Sequence, residues 1–291
     1  MALSGVHFIL TYRCTMECEH CFVFGSPRAG GTFTAKQLEG VFAELPKIGT
    51  IKSVYFEGGE PFLFYPLLVE GVKAAGHLGY ETGIVSNGYW ATSEEDAALW
   101  LRPLAESGLG ELGISDDPFH SGDSQPASNA LAAAEKLGIT AYRMSVEKPK
   151  TRGKRLDSGG VMFRGRAAER LAKGLPGKTA HYYIECPYED LKEPQRFHLD
   201  AHGNVLLCQG LSIGNMWQTP LSELVKGFDC RKHPVCRHLL EGGPARLARE
   251  HGLAAKGEYV DACHLCYLSR KALRDKYPDF LAPKQLYGEE E

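Results

Sequence analysis

The sequence predicts an α/β fold, a parallel sheet with helices outside it that closes into a full or partial barrel, followed by a small α+β module. Two observations carry this. Short apolar strands and amphipathic helices alternate about six times before residue 178, with glycine closing most of the helices. Beyond about residue 180 the alternation gives way to a hairpin and short helices, and cysteines return after a gap between Cys21 and Cys186. A chain of 291 residues suits one large domain with a small appendage, and the change of character divides it into residues 1–178 and 179–291.

Taken in order, residues 6–11 read as a buried strand running into a cysteine loop. Thr34 followed by Gln37 forms a capping box, and Leu38, Val41, Phe42 and Leu45 mark one face of a helix that Gly49 closes. Residues 51–57 are the second strand, ending at Gly58-Gly59-Glu60-Pro61. A helix over 67–78 stops at Gly79, and residues 82–86 form the third strand, ending at Asn87-Gly88. Ser93 caps the next helix, residues 112–115 form the fourth strand, and a helix over 129–137 stops at Gly138. Residues 139–146 and 159–163 are the fifth and sixth strands, the sixth followed by Gly165-Arg166-Ala167 and a helix. In the second module, residues 197–200 and 205–208 read as a hairpin and 219–225 as a short helix. From Leu268 a basic helix (Arg270, Lys271, Arg274, Lys276) and a segment closing in three glutamates read as solvated surface.

Composition excludes several classes. Hydrophobic residues make up 43% and charged residues 24%, as in ordinary globular domains, and a net charge of −3 offers no basic surplus for nucleic acid. The start of the chain lacks a basic export signal, and no run is long enough to span a bilayer, so a cytoplasmic protein with no membrane partner is expected. In that setting nine cysteines, gathered at the two ends of the chain, point to metal ligation more than to disulfides.

Residues 14–21, Cys-Thr-Met-Glu-Cys-Glu-His-Cys, place Cys14, Cys18 and Cys21 directly after the first strand. A structural zinc site or closed iron-sulfur cluster uses four protein ligands, so three thiols leave one coordination position open. A zinc knuckle or buried free thiols is the plainer alternative. In parallel α/β folds functional groups gather at the C-terminal ends of strands, where Cys14, Gly58 to Pro61, Ser86 to Gly88 and Ser115-Asp116 all fall.

The C-x3-C-x2-C spacing, with His20 before the last cysteine, resembles the signature of radical SAM enzymes, and Gly58-Gly59-Glu60-Pro61 one strand later resembles their motif for the amino group of S-adenosylmethionine (SAM). The resemblance implies a partial (β/α)6 barrel in which Cys14, Cys18 and Cys21 hold a [4Fe-4S] cluster. SAM would bind at the open iron and be cleaved to a 5′-deoxyadenosyl radical. Glycine admits close backbone approach and Glu60 would accept from the ammonium. By the same resemblance Ser86, Asn87, Ser115, Asp116 and His20 contact SAM and Gly165 lies near its adenine. Residues 117–142 lack the arginine that relatives pair with the SAM carboxylate, so Arg143 is the substitute. Polar turns explain the serine-containing stretches equally well, and a salt bridge at the edge of the core explains Arg143.

Cys186, the Gly203-x4-Cys208 step and Cys263-His-Leu-Cys266 resemble the SPASM/twitch extension, which implies an auxiliary [4Fe-4S] cluster on Cys186, Cys208, Cys263 and Cys266. Gly214-Asn215-Met216 with Leu221 to Leu224 resembles the stretch that follows the hairpin there. A zinc ion suits the same four thiolates. Cys230 and Cys236 are optional ligands.

The expected activity is radical chemistry on a peptide side chain, with a reducing partner such as flavodoxin or ferredoxin. No leader-binding segment precedes the first strand, which weighs against a peptide. Oxidation of a small molecule and cofactor assembly are the alternatives, and a non-catalytic zinc or iron-sulfur protein is a more distant one.

Overall fold

The computed structural model describes residues 3–120, 122–153, 155–253 and 257–289; the last two of the three closing glutamates lie outside them. The first half alternates as the sequence predicts. Strand β1 (Gly5–Thr11) is followed by α1 (Ala35–Ile48), β2 (Ser53–Gly58), α2 (Tyr65–His77), β3 (Glu81–Ser86), α3 (Glu94–Glu106), β4 (Glu111–Ser115), α4 (Gln125–Lys136) and β5 (Thr140–Met144). These five strands pair in sequence order and in parallel. The predicted signals operate locally. Thr34 and Gln37 make both halves of a capping box on α1, Gly49 ends that helix in the left-handed region at φ 78°, and the Ser93 side chain accepts from Asp96 N–H at the start of α3.

The sixth predicted strand does not form. Residues 159–163 are turn and irregular chain, preceded by a small hairpin of β6 (Lys150–Arg152) and β7 (Arg155–Asp157) and followed by α5 (Arg166–Arg170). Gly159 and Gly160 adopt φ of 61° and 88°, and a Cβ on Gly159 would lie 2.4 Å from the Glu147 carbonyl oxygen, so the chain turns where the sequence suggested extension.

The sixth parallel strand comes from the second half. After β8 (Lys178–Thr179), β9 (Arg196–Asp200) runs parallel to β1 on its free edge, and β10 (Asn204–Cys208) and β11 (Leu211–Asn215) continue antiparallel. Among the described residues this is one eight-stranded sheet, ordered β11-β10-β9-β1-β2-β3-β4-β5, an open partial barrel. The predicted hairpin is present, but it extends the first half's sheet. The main hydrophobic cluster accordingly spans both halves, from Val6 and Phe8 through Phe197 and Leu199 to Leu247. Helix α6 (Leu221–Gly227) is tied to α1 through the Ser222 hydroxyl, which donates to Glu44 at 2.6 Å.

Helix α7 (Cys236–Glu250), broken at Gly242 and Gly243 ahead of Pro244, was not foreseen. Strand β12 (Glu258–Tyr259) pairs with β8, and α8 (Ala262–Leu273) starts before the predicted basic helix, capped by Asp261. Arg270 is 2% exposed, so that helix is not simply solvated surface. No helix among the described residues is long and apolar enough to cross a membrane.

On the helix-facing side of the sheet, Phe8 stacks on Phe42 at 5.5 Å and on the fully buried Phe56 at 5.3 Å between ring centroids. Replacing Phe56 with alanine removes one end of this stack. Chemical denaturation is expected to show a loss of about 3–5 kcal/mol, and a loss under about 1 kcal/mol would mean that the stack does not anchor the sheet.

Candidate active site

The loops that follow β1, β2, β3 and β4 surround one cavity of about 470 Å³, a size suited to a nucleoside-sized ligand. Cys14, Cys18 and Cys21 all lie in its wall, with His20, Gly58, Gly59, Ser86, Asn87 and Ser115. These residues, spread over a hundred positions of chain, thus share one wall.

The cysteine loop is held from several sides. Cys21 N–H donates to the Cys18 carbonyl at 3.2 Å. Arg166, 4% exposed, donates through Nη1 to the Cys18 carbonyl at 2.7 Å and through Nη2 to the Gly25 carbonyl at 3.0 Å. Its own N–H reaches the Cys21 carbonyl at 2.9 Å. Gly165, at φ 58°, packs against the Phe22 backbone, where a Cβ would come within 2.5 Å of the Phe22 Cα. The structure therefore puts Gly165 under the cysteine loop and outside the cavity wall, and gives Arg166 a clamping role that sequence reasoning missed.

The thiols are also surrounded by donors. Met16 N–H and Asn87 Nδ2 point at Cys14 Sγ at 3.4 and 3.5 Å, and Gly25 N–H points at Cys21 Sγ at 3.3 Å. Burial nevertheless pushes Cys14 up to about 11 and Cys18 up to about 12, so ionisation at neutral pH requires a cation among them. Three converging thiols with donors aimed at sulfur, in a wall that opens on a cavity, fit a metal cluster with a free coordination site.

Gly58 and Gly59 are required by packing against β1. A Cβ on Gly58 would meet the Thr11 carbonyl oxygen at 2.4 Å and one on Gly59 the Arg13 carbonyl oxygen at 2.1 Å. Gly59 N–H donates to Thr11 O at 2.7 Å and Glu60 N–H to Arg13 O at 2.8 Å, locking the two loops together.

Glu60 departs from its expected role. It is fully buried, does not line the cavity, and accepts from Phe62 N–H at 3.1 Å, Ser86 Oγ at 2.9 Å and Asn87 N–H at 2.8 Å. Its carboxylate holds the loop after β3 in place and does not face the cavity. Pro61 opens the short 3-10 turn after it and is buried. Ser86 also accepts from Trp90 Nε1 at 2.9 Å.

Arg143 and Asp116 are likewise engaged elsewhere. They pair with each other, Arg143 Nη2 donates to Ser128 Oγ at 2.7 Å, and Ser124 Oγ donates to Asp116 at 2.8 Å, all outside the cavity wall. Asp117 and His120, which the sequence did not assign, occupy the wall in their place. His120 Nδ1 contacts Asp117 at 2.8 Å, and His20 Nε2 lies 3.9 Å from the same carboxylate. Burial would raise Asp117, but these imidazoles hold it below the usual carboxylate range, while burial lowers His20.

Cys186, Cys208, Cys263 and Cys266 line a second, smaller cavity of about 30 Å³. Two buried guanidinium groups face it: Arg164 Nη1 donates to Cys208 Sγ at 3.2 Å, and Arg270 donates to the Gln209 carbonyl. Burial pushes Cys266 up to about 11 and raises Cys186 and Cys263, and both arginines oppose that rise at Cys266 or Cys263. Four thiols beside two buried cations suit an anionic metal-thiolate centre. Arg164 lines both cavities and lies over the Phe22 ring at 5.2 Å. Cys230 and Cys236, the optional ligands of the sequence reading, are instead joined in a disulfide across six positions, Cα atoms 5.4 Å apart.

Fold and site define an α/β barrel protein with a three-thiol centre at the strand ends. Residues 8–117 match the model of the Radical SAM superfamily. The chain is 28% identical over 112 residues to YydG of Bacillus subtilis (strain 168), named as a candidate peptide biosynthesis protein; the match covers 38% of this chain and 35% of YydG. It is 26% identical over 144 residues to the tungsten-containing aldehyde ferredoxin oxidoreductase cofactor-modifying protein of Pyrococcus furiosus, covering 49% of this chain and 37% of that protein. The chain thus aligns with about a third of each curated relative. Among solved structures, BtrN in complex with AdoMet and 2-DOIA shares the fold, with a TM-score of 0.53 and 15% identity over 77% of this chain and 82% of BtrN.

Burial pushes Glu60 up to about 7 against its three hydrogen bonds. The unfolded carboxyl loses its proton near the ordinary value while the folded one keeps it, so stability falls as pH rises from about 4.5 through 7. Denaturation at pH 5 and pH 8 is expected to show this fall, of the order of 3 kcal/mol, in the native chain and not in Glu60→Gln. An equal pH dependence in both would contradict the assignment.

Proposed function

We propose that this protein is a radical SAM enzyme that acts on an aliphatic side chain of a peptide. The observation carrying the reading is that Cys14, Cys18 and Cys21 share one cavity with Gly58, Gly59, Asn87 and Ser115. The three thiols would hold a [4Fe-4S] cluster, and the cavity would receive SAM beside it. When bound and reduced by an external donor of the flavodoxin or ferredoxin kind, the cluster supplies the electron that splits SAM into methionine and a 5′-deoxyadenosyl radical, which takes a hydrogen atom from the substrate.

The chain's own residues position and shield. Gly58 and Gly59 offer backbone polar groups in the cavity wall, Ser115 and Asn87 offer side-chain ones, and Asn87 also reaches Cys14. Asp117 and His120 form a fixed polar pair on the same wall. Met16, Val85, Met144, Val146, Val161 and Met162 line the same cavity and make an apolar surface that suits an aliphatic side chain and excludes water from a reactive intermediate. The similarity to YydG supports a peptide as the substrate. The second thiol set, Cys186, Cys208, Cys263 and Cys266, would hold an auxiliary [4Fe-4S] cluster and exchange an electron with the substrate radical, Arg164 lying between the two sites.

Anaerobically reconstituted protein, given SAM and a strong reductant, is expected to yield 5′-deoxyadenosine by mass spectrometry, with at least a hundredfold loss on combining Cys14→Ala, Cys18→Ala and Cys21→Ala. Peptides with perdeuterated Val, Ile or Leu are expected to pass deuterium into that product. Deuterium transfer from labelled alcohols or amino sugars instead would replace the peptide reading, and undiminished 5′-deoxyadenosine in the triple variant would refute the site.

A further inference from the structure

The inner face of the sheet carries a set of ligand-type side chains that the proposed radical chemistry does not use. His7 on β1, Glu57 on β2 and His198 on β9 come from three adjacent parallel strands. His7 stands in register with His198 on one side and Tyr55 on the other, and Glu57 lies two residues beyond Tyr55 on the same face. Their orientations are fixed: the His7 ring stacks on Tyr55 at 4.9 Å and meets the His198 ring edge-on at 5.1 Å.

Each oxygen of Glu57 faces one imidazole. His7 Nδ1 lies 3.5 Å from Oε2 and His198 Nε2 lies 3.1 Å from Oε1, and one ligand atom from each of the three residues falls within 4.8 Å of the others. Yet His7 Nδ1 and Glu57 Oε1, both buried, make no hydrogen bond among the described residues. Polar atoms this close and this buried normally bond to one another. Here, with one atom from each residue within 4.8 Å of the others, they are spaced as ligand atoms are around an ion. Glu57 also belongs to the wall of the large cavity, so the cluster borders that space.

We propose that His7, Glu57 and His198 bind a divalent first-row transition metal ion, with open coordination positions toward the cavity. Two imidazoles and one carboxylate are a donor set that zinc, iron(II) and manganese(II) accept, in contrast to the thiol sets of the two cysteine sites. The ion would satisfy together the two buried atoms that make no hydrogen bond and bind an oxygen or nitrogen donor of a ligand in the cavity, such as a peptide carbonyl. The inference goes beyond the radical reading and does not depend on it.

Zinc is the probe. Protein reconstituted anaerobically with iron and sulfide, so that the thiols are occupied, is dialysed against zinc and analysed for metal content and zinc-edge X-ray absorption. About one zinc per chain is expected, with a shell of nitrogen and oxygen only. Its affinity is expected to fall tenfold or more in His7→Ala, Glu57→Gln and His198→Ala, with iron content unchanged. Zinc absent, retained in all three variants, or found with sulfur in its shell in protein whose iron content is full would overturn the proposal. The spectrum of the unaltered protein decides the question even if a variant fails to fold. If the cysteines took no iron, thiol-bound zinc would show sulfur scattering, so failure of the radical reading would be seen separately.

Discussion

The backbone contact between the loop after β1 and the loop after β2 is the constraint on which the rest of the site depends. Gly58 and Gly59 lie so close to the carbonyls of Thr11 and Arg13 that no side chain fits, and two backbone hydrogen bonds close the contact. Glu60 then reaches back from this junction to Ser86 and Asn87, and Asn87 reaches on to Cys14. One chain of short contacts thus ties the ends of three strands to the first thiol. Arg166 completes it from the far side by gripping the carbonyls of Cys18 and Gly25. Such over-determination is what a buried set of thiols needs in order to keep its shape while a bound group changes charge.

Much of this was legible because parallel α/β folds put functional loops at strand ends, and glycine after a helix or strand marks those ends in sequence. The positions of Cys14, Gly58, Ser86 and Ser115 followed from that punctuation alone. What each side chain does was less legible. Glu60 reads as a ligand for an ammonium group, but two of its three donors come from a loop some 26 positions away. Arg143 finds Asp116 across neighbouring strands, a pairing that only register reveals. The sixth strand failed because Gly159 and Gly160 turn the chain, and nothing in an apolar run with two glycines distinguishes a turn from a bulged strand. Arg270 did carry a signal, since it follows Cys266 by four positions on one helix face.

The second half of the chain is built into the first. Because β9 takes the free edge of β1, the hairpin that carries Cys208 is held by the same sheet that presents Cys14, and Arg164 can touch both thiol sites. A buried guanidinium is costly unless anionic partners face it. Arg164 and Arg270 are therefore themselves arguments for negatively charged thiolate centres. The same docking of β9 brings His198 beside His7, so one unforeseen strand pairing accounts for both the proximity of the thiol sites and the interior histidines.

The central claim is that three thiols leave a coordination position which SAM takes. It is tested most directly by electron paramagnetic resonance of the reduced, reconstituted protein, recorded before and after addition of SAM carrying nitrogen-15 in its amino group and oxygen-17 in its carboxylate. The account predicts a shifted cluster signal with hyperfine coupling to both labels, abolished when Cys14, Cys18 and Cys21 are replaced. A spectrum unmoved by SAM, or coupling to a fourth protein ligand in its place, would contradict it.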